Sequence, residues 1–237
     1  MSITKTMIKK AVYDRKVSAD TLIIFDQVKR KLVKGSNERE RTISIDEYLR
    51  LSVTAQAHLK PLLIVARNTG MRVGEICTLK WQYIDREKMF IRLPAEAIKE
   101  GEKTQKGKNI PINHHVKAVL DSQPRALHHD YVFTYKGQPI AGAQETRLAF
   151  MTTCKNAGIP YGAKGIRFAD FRRSVKTDMV KAGVDKVYRD VILGHSLKDM
   201  DAHYIKPSED DLTTAMEKYT AWLDEQLSAE QKQAAVG

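Results

Sequence analysis

The stretch Met89-Phe-Ile-Arg-Leu-Pro-Ala-Glu-Ala-Ile-Lys-Glu-Gly-Glu-Lys-Thr-Gln-Lys-Gly-Lys-Asn-Ile-Pro-Ile112 interrupts a chain that otherwise reads as helix. Its two ends, Met89–Leu93 and Asn109–Ile112, are short and apolar, the pattern of strands rather than of a helical turn. Between them Lys99 to Lys108 is polar and carries two glycines, Gly101 and Gly107. The pair reads as a hairpin or small antiparallel sheet with a basic tip. Tyr131-Val-Phe-Thr134 is expected to add a third short strand.

Working outward, the flanks are helical. Ser44-Ile-Asp-Glu47 has the capping-box pattern and predicts a helix start there. Pro61 suits a first helical turn, and that helix should stop at Thr69-Gly70. A shorter helix is expected from Val73 to about Lys80. Further helices are expected over Gln144–Ala157, Ala169–Ala182, Val184–Leu193 and Asp211–Gln226, with Gly183 in the place of a helix-ending glycine. Residues 1–35 read as helical pieces too small to bury much alone. Lys34-Gly-Ser-Asn-Glu-Arg-Glu-Arg41 is polar and without periodicity, which predicts a linker and a domain boundary near residues 34–42. The fold class is therefore mostly α with a small antiparallel β-sheet (α+β).

The 237 residues carry 40 Lys and Arg against 29 Asp and Glu, a formal net charge of +11. Such an excess favours a polyanionic partner, of which nucleic acid is the commonest. The charge is uneven. Residues 1–42 hold a large basic excess, whereas Glu209, Asp210, Asp211, Glu217, Asp224, Glu225 and Glu230 face only Lys218 in the stretch 208–230. That acidic segment reads either as a tail that docks on protein or as a solvated helix face. No apolar run reaches the roughly 18–20 residues of a membrane span, and the N-terminus lacks a signal-peptide core. A cytoplasmic protein is expected. Cys77 and Cys154 sit in apolar helical text away from metal-ligand spacing and read as reduced core thiols.

Four charged or polar blocks stand out from the apolar helices. Arg72, in Thr69-Gly-Met-Arg-Val-Gly-Glu-Ile76, lies between two glycines with Glu75 one turn on. Arginine is the natural bidentate partner of a phosphate, although a structural ion pair with Glu75 explains it equally well in isolation. Phe168-Ala-Asp-Phe-Arg-Arg-Ser174 offers Arg172 at a helix start, Ile192-Leu-Gly-His-Ser196 presents His195 after a glycine, and Tyr204 falls in Asp201-Ala-His-Tyr-Ile-Lys206. Each alone is weak.

Together, in this order and spacing, these blocks resemble the tyrosine recombinase (phage integrase) family from about residue 40 to about residue 210. Arg72 matches the first arginine of that family. Its His-x-x-Arg block falls on Ala169-Asp-Phe-Arg172, and its Leu-Gly-His block on Leu193-Gly-His195, with Tyr204 nine residues after His195. The family's hairpin lysine precedes a strand proline by eight residues; Lys103 stands eight before Pro111, with Lys106 and Lys108 as competitors.

The resemblance implies a site-specific DNA recombinase whose catalytic residues are Arg72, Lys103, Arg172, His195 and Tyr204. Tyr204 would attack a DNA phosphate to give a 3′-phosphotyrosyl link, with no cofactor and no metal. It also implies double-stranded DNA as partner, a tetramer on paired sites and a phage or mobile-element origin. The apolar positions Leu212, Met216, Tyr219, Leu223 and Leu227 could pack on a neighbouring copy or on their own core. The implied domains are a C-terminal remnant of a helical core-binding domain plus linker (1–40), a catalytic domain (41–210) and a C-terminal helix or tail (211–237). The departure is Ala169, where the family has histidine; Arg167, His203 or water would have to handle that proton. A weakened DNA-binding relative and a type IB topoisomerase-like enzyme are the alternative readings.

Overall fold

A computed structural model describes residues 3–27, 40–98, 107–140, 143–195 and 207–236. It divides into two compact units, Met1–Glu40 and Arg41–Gly237. In the first, helices α1 (Ile3–Tyr13) and α2 (Ala19–Gln27) lie against each other, tied by a Lys5–Asp26 ion pair of 2.6 Å. No residue of α2 is buried, and Ile23 and Ile24 are exposed. So short a helix pair has too little apolar surface to make a core of its own.

The larger unit opens with α3 (Ile45–Thr54). Its capping box forms as the sequence predicts: Glu47 N–H donates to Ser44 Oγ, and Ser44 N–H to Glu47 Oε2. Helix α4 (Lys60–Thr69) starts on Pro61 and ends at Gly70, whose φ of 64° is left-handed. It runs through the centre of the unit and is buried on nearly every side. Even Arg67 is fully buried, paired with Asp178 at 2.8 Å, while its carbonyl accepts from the Tyr219 hydroxyl. Helix α5 (Val73–Cys77) is shorter than expected, because the Thr78 hydroxyl folds back on the Gly74 carbonyl and Lys80 then bridges to Tyr131.

The sheet is three antiparallel strands in the order β1 (Ile84–Asp85), β2 (Phe90–Leu93) and β3 (Lys108–Pro111). Phe90 pairs with Pro111 and Leu93 with Lys108. The two strands read from the sequence thus pair as a hairpin; its tip, residues 99–106, is outside the described residues. The expected third strand at Tyr131–Thr134 differs. Tyr131 makes only an isolated bridge, and Thr134–Tyr135 (β4) turns back on Gln138–Pro139 (β5) as a separate ribbon.

Helix α6 (His114–Ser122) is an addition to the sequence reading. Asn113 caps it by accepting from Val116 N–H, and it buries Val116, Val119 and Leu120. Helices α7 (Ala143–Asn156), α8 (Asp170–Lys181) and α9 (Lys186–Leu193) stand close to the expected spans. The last helix, α10 (Glu209–Val236), runs ten residues beyond Gln226, through a tail of strong helix formers. Leu212, Met216, Tyr219 and Leu223 are buried, and Leu227 packs beside them, all within this one chain. Of the two roles open to that face, packing on its own core is the one observed. Phe150 packs edge to face on Phe168 and Phe171, and the latter two pack tilted on each other, with ring centroids 5.4–6.1 Å apart. Both cysteines are buried, and burial pushes the Cys154 thiol up to about 12. Among the described residues no helix is long and apolar enough to cross a membrane.

Candidate active site

Two helix ends and one strand meet at a single place. Helix α4 ends at Gly70 and α9 ends at Gly194, both left-handed turns. Each turn leaves carbonyl oxygens beyond the last helical bond, where a cation is favoured. Arg172, on α8, spans the two: Nη1 donates to the Gly70 carbonyl at 3.0 Å, and Nη2 donates to the Leu193 carbonyl. The turns must be glycine for reasons of space as well as of φ. A Cβ on Gly70 would lie 2.4 Å from Leu193 Cδ2, and one on Gly194 would lie 3.0 Å from Lys108 Cδ.

Arg72 follows the Gly70 turn as the residue that begins α5. Glu75 holds it twice: Oε2 accepts from the Arg72 backbone N–H at 3.1 Å and Oε1 from its guanidinium at 2.9 Å. The structural ion pair and the exposed arginine coexist, since the Arg72 side chain keeps 30% of its surface open and that of Glu75 only 3%. Underneath lies Lys108, at the start of β3, with its side chain 1% exposed and Nζ 3.2 Å from Glu75 Oε2. Burial, opposed by Glu75 but aided by Arg172 and Arg72, brings the Lys108 ammonium down to about 8. Burial alone would raise Glu75; Lys108 and Arg72 outweigh it and hold the carboxyl below the usual carboxylate range. Arg72, Lys108 and Arg172 against Glu75 leave the site with excess positive charge, which suits an anion.

His195 follows Gly194. Its backbone N–H donates to the Asp190 carbonyl at 2.7 Å, and its Nδ1 lies 3.1 Å from Asp190 Oδ1. Burial, then Arg172 and Lys176, lower the His195 pKa, with Asp190 acting the other way. Asp190 itself is held below its usual range by His195, Lys186 and Lys176, against the effect of burial. A carboxylate on Nδ1 fixes that nitrogen as the proton carrier in the neutral ring and turns Nε2 outward as the second functional atom.

Of the residues singled out in the sequence, Arg72, Arg172 and His195 are thus brought together. Lys103 and Tyr204 lie outside the described residues, as do Lys106 and His203. Ala169 is the exposed residue before α8, one helical turn from Arg172, with no side-chain cap. Arg167 is exposed next to it, its backbone N–H held by Asp170. Two residues were not foreseen. Lys108 entered the sequence reading only as a rival to Lys103, and its burial against Glu75 is a tertiary fact. Asp190 was missed, although an acid five residues before a histidine at a helix end is a signal that can be read.

A match to the model of the phage integrase family covers residues 34–210. The chain belongs to the phage integrase family. Two relatives from that family are the integrase of Salmonella phage P22, 28% identical over 78% of this chain and 46% of the relative, and the tyrosine recombinase XerA of Pyrococcus horikoshii, 27% identical over 75% and 61%. The chain therefore spans about half to three-fifths of the length of these relatives. Its fold is that of a lambda integrase fragment solved as a dimer bound to a core site, with a TM-score of 0.61 at 19% identity over 86% of this chain and 72% of that one. Within an integrase fold, the two arginines, the histidine and the buried lysine–glutamate pair lie together where the ends of α4 and α9 meet the first residue of β3.

Proposed function

We propose that this integrase-family chain is a site-specific DNA recombinase that cuts and rejoins DNA through a 3′-phosphotyrosyl intermediate on Tyr204. The observation that carries the reading is the convergence of Arg72, Arg172 and His195 on one positively charged cluster around Gly70 and Gly194. A tyrosine hydroxyl, with an ordinary pKa of about 10, is a weak nucleophile at neutral pH. It needs a phosphate whose charge is neutralised and a route for its proton. Arg72 and Arg172 clamp the non-bridging oxygens and stabilise the charge of the pentacoordinate transition state. The Tyr204 hydroxyl oxygen bonds to phosphorus, the bond from phosphorus to the 5′ oxygen breaks, and Lys103 gives a proton to that leaving oxygen. His195, held at Nδ1 by Asp190, turns Nε2 to the phosphate. The 5′-hydroxyl of a partner strand then attacks the phosphotyrosine and releases Tyr204, so the bond energy is conserved and no nucleotide is spent. The Tyr204 proton leaves to His203 or to water, because Ala169 puts no proton acceptor at the family's histidine position; Arg167, always charged, contributes there only as a hydrogen-bond donor.

Double-stranded DNA is the substrate; a lambda integrase of the same fold is solved bound to DNA. Exchange of four strands needs four protomers. The C-terminal helix is the contact between them, since a face that packs on its own core packs equally on an identical copy that exchanges the segment. Residues 1–40 act as the end of a helical DNA-clamping domain plus linker, 41–210 as the catalytic domain and 211–237 as the C-terminal helix. The setting is the bacterial cytoplasm, on the nucleoid, with the chain encoded by the bacterium or by a phage.

A suicide substrate, nicked so that the cleaved fragment diffuses away, tests the reading. The wild-type chain should accumulate an SDS-stable, protease-sensitive adduct. Retarded DNA with no covalent adduct would instead mark a DNA-binding relative without activity, and relaxation of a plasmid lacking paired sites would mark a topoisomerase.

A further inference from the structure

His114 and His115 open helix α6, and Asp224 lies in the last helix, α10, far from them in sequence. Neighbouring residues on a helix normally point about 100° apart. Here the two rings lie side by side, centroids 4.0 Å apart and tilted by 38°, and both reach the same carboxylate. His115 Nε2 is 2.6 Å from Asp224 Oδ1, and His114 Nε2 is 3.6 Å from Asp224 Oδ2. One nitrogen from each imidazole and one carboxylate oxygen all fall within 4.8 Å of one another. A tetrahedral ion with bonds of about 2.1 Å spaces its donor atoms about 3.4 Å apart. The observed separations of 2.6 and 3.6 Å stand on both sides of that figure.

Two further features favour a ligand over a plain imidazole–carboxylate hydrogen bond. A second imidazole, His114, stands 3.6 Å from the other oxygen of the same carboxylate, so two ring nitrogens and one carboxylate are grouped rather than a single pair. The group also borders an open cavity of about 380 Å3, lined by Asn113, His114, Glu217, Thr220 and Asp224. That leaves room for the waters that complete a three-ligand site. The supporting frame is already in place. Asn113, next to His114, donates to Thr220 Oγ1 at 3.0 Å and to Asn68 Oδ1 at 2.8 Å, while its own oxygen caps α6. These bonds fix α6 and α10 at the spacing the three donors need.

We propose that His114, His115 and Asp224 form a binding site for a divalent transition-metal ion of the zinc, cobalt or nickel class, which staples the C-terminal helix to α6. Two imidazoles and one carboxylate are the donor set of such borderline ions rather than of calcium or magnesium. The ion takes the place of the proton shared by His115 and Asp224. It plays no part in the chemistry at Arg72 and Arg172 and uses none of those residues.

The test uses the full chain, free of a histidine tag, stripped with chelator and titrated with Co2+. The expected result is one Co2+ per chain, with the visible absorption of a low-coordinate site, displaced by Zn2+. Zn2+ should also slow amide exchange across the Leu212–Leu227 stretch of α10. His115→Gln and Asp224→Asn should each weaken Co2+ binding roughly tenfold or more and abolish the exchange effect, with circular dichroism confirming that both fold. The double variant His128→Gln, His129→Gln, at the other adjacent histidine pair, should bind as wild type does. Co2+ binding of equal strength in His115→Gln and Asp224→Asn overturns the site, as does a wild-type chain that takes up no stoichiometric Co2+ at millimolar concentration.

Discussion

Glu75→Gln removes the carboxylate charge that the buried Lys108 faces while keeping the size and shape of the side chain. The pair is 3.2 Å apart with both side chains almost fully buried. At an effective dielectric of 20, the lost attraction is on the order of 5 kcal/mol. Removing one partner of a buried pair costs about 3–5 kcal/mol in folding stability, because the survivor stays out of water. Arg72 also loses the acceptor that orients it. For a domain of roughly 200 residues, that cost lowers Tm by about 6–20 °C.

The pH dependence sharpens the test. Lys108 titrates at about 8 in the fold and near 10.4 when unfolded. The unfolded chain binds that proton more tightly, so this group makes stability rise as pH climbs from about 8 to about 10, and contributes no slope beyond. Without Glu75 the folded pKa falls further, and the rise should begin nearer neutrality. Lys108→Met leaves Glu75 paired with Arg72, so it should cost less than Glu75→Gln, and it should rescue Glu75→Gln in the double variant, where no buried charge is stranded. Thermal and urea melts of the four proteins between pH 6 and pH 10 read these effects. A loss below about 1 kcal/mol in Glu75→Gln, or no rescue by Lys108→Met, would refute the claim that a buried pair organises the site.

Further outcomes concern the neighbouring residues. Ala169→His restores a proton-transferring group one turn from Arg172 and should raise the single-turnover cleavage rate by about 10²-fold; an unchanged rate means that another group already fills that part. Asp190→Asn takes away the carboxylate that supports protonated His195. The His195 imidazole resonances should titrate at lower pH than in wild type, and cleavage should slow by about 10–100-fold, whereas a pKa that rises contradicts the assigned contact. Gly70→Ala places a methyl 2.4 Å from Leu193 Cδ2 on a backbone with φ of 64° and should cost about 1–3 kcal/mol in a urea melt. A neutral result there would mean that α4 and α9 do not meet as described.

Local chemistry explains which parts of the fold were legible in the sequence. The Ser44–Glu47 capping box, Pro61, Gly70 and Gly194 are short-range signals, and each marks the helix boundary it should. The strands at 89–93 and 109–112 were readable because their apolar runs are bounded by polar, glycine-containing text. Helix α6 was overlooked although Asn113 is a good cap, since a strand ends only two residues before it and the helical signal is confined to Val116, Val119 and Leu120. Tyr131–Thr134 has strand-like residues, but burial of Val132 and Phe133 in the core, not sheet pairing, uses them.

Within the site, Arg72, Arg172 and His195 were found by order and spacing, each being tied to a glycine turn or helix start. Spacing could not show that Lys108 is buried against Glu75, a contact across 33 residues; Lys103 and Lys106 lie outside the described residues. Asp190 differs again. It lies within the same helix end as His195, and its role follows from a side-chain hydrogen bond that apolar periodicity does not encode.

Tyr204 is the proposed nucleophile for the phosphate that Arg72 and Arg172 would hold. Mass spectrometry of the adduct trapped on a suicide substrate, after protease and nuclease digestion, identifies the linked residue directly. The predicted result is a nucleotide attached through a 3′ phosphate to the peptide containing Tyr204, with no adduct from Tyr204→Phe while that variant still retards the same DNA. An adduct on any other residue, or one that persists in Tyr204→Phe, would contradict it.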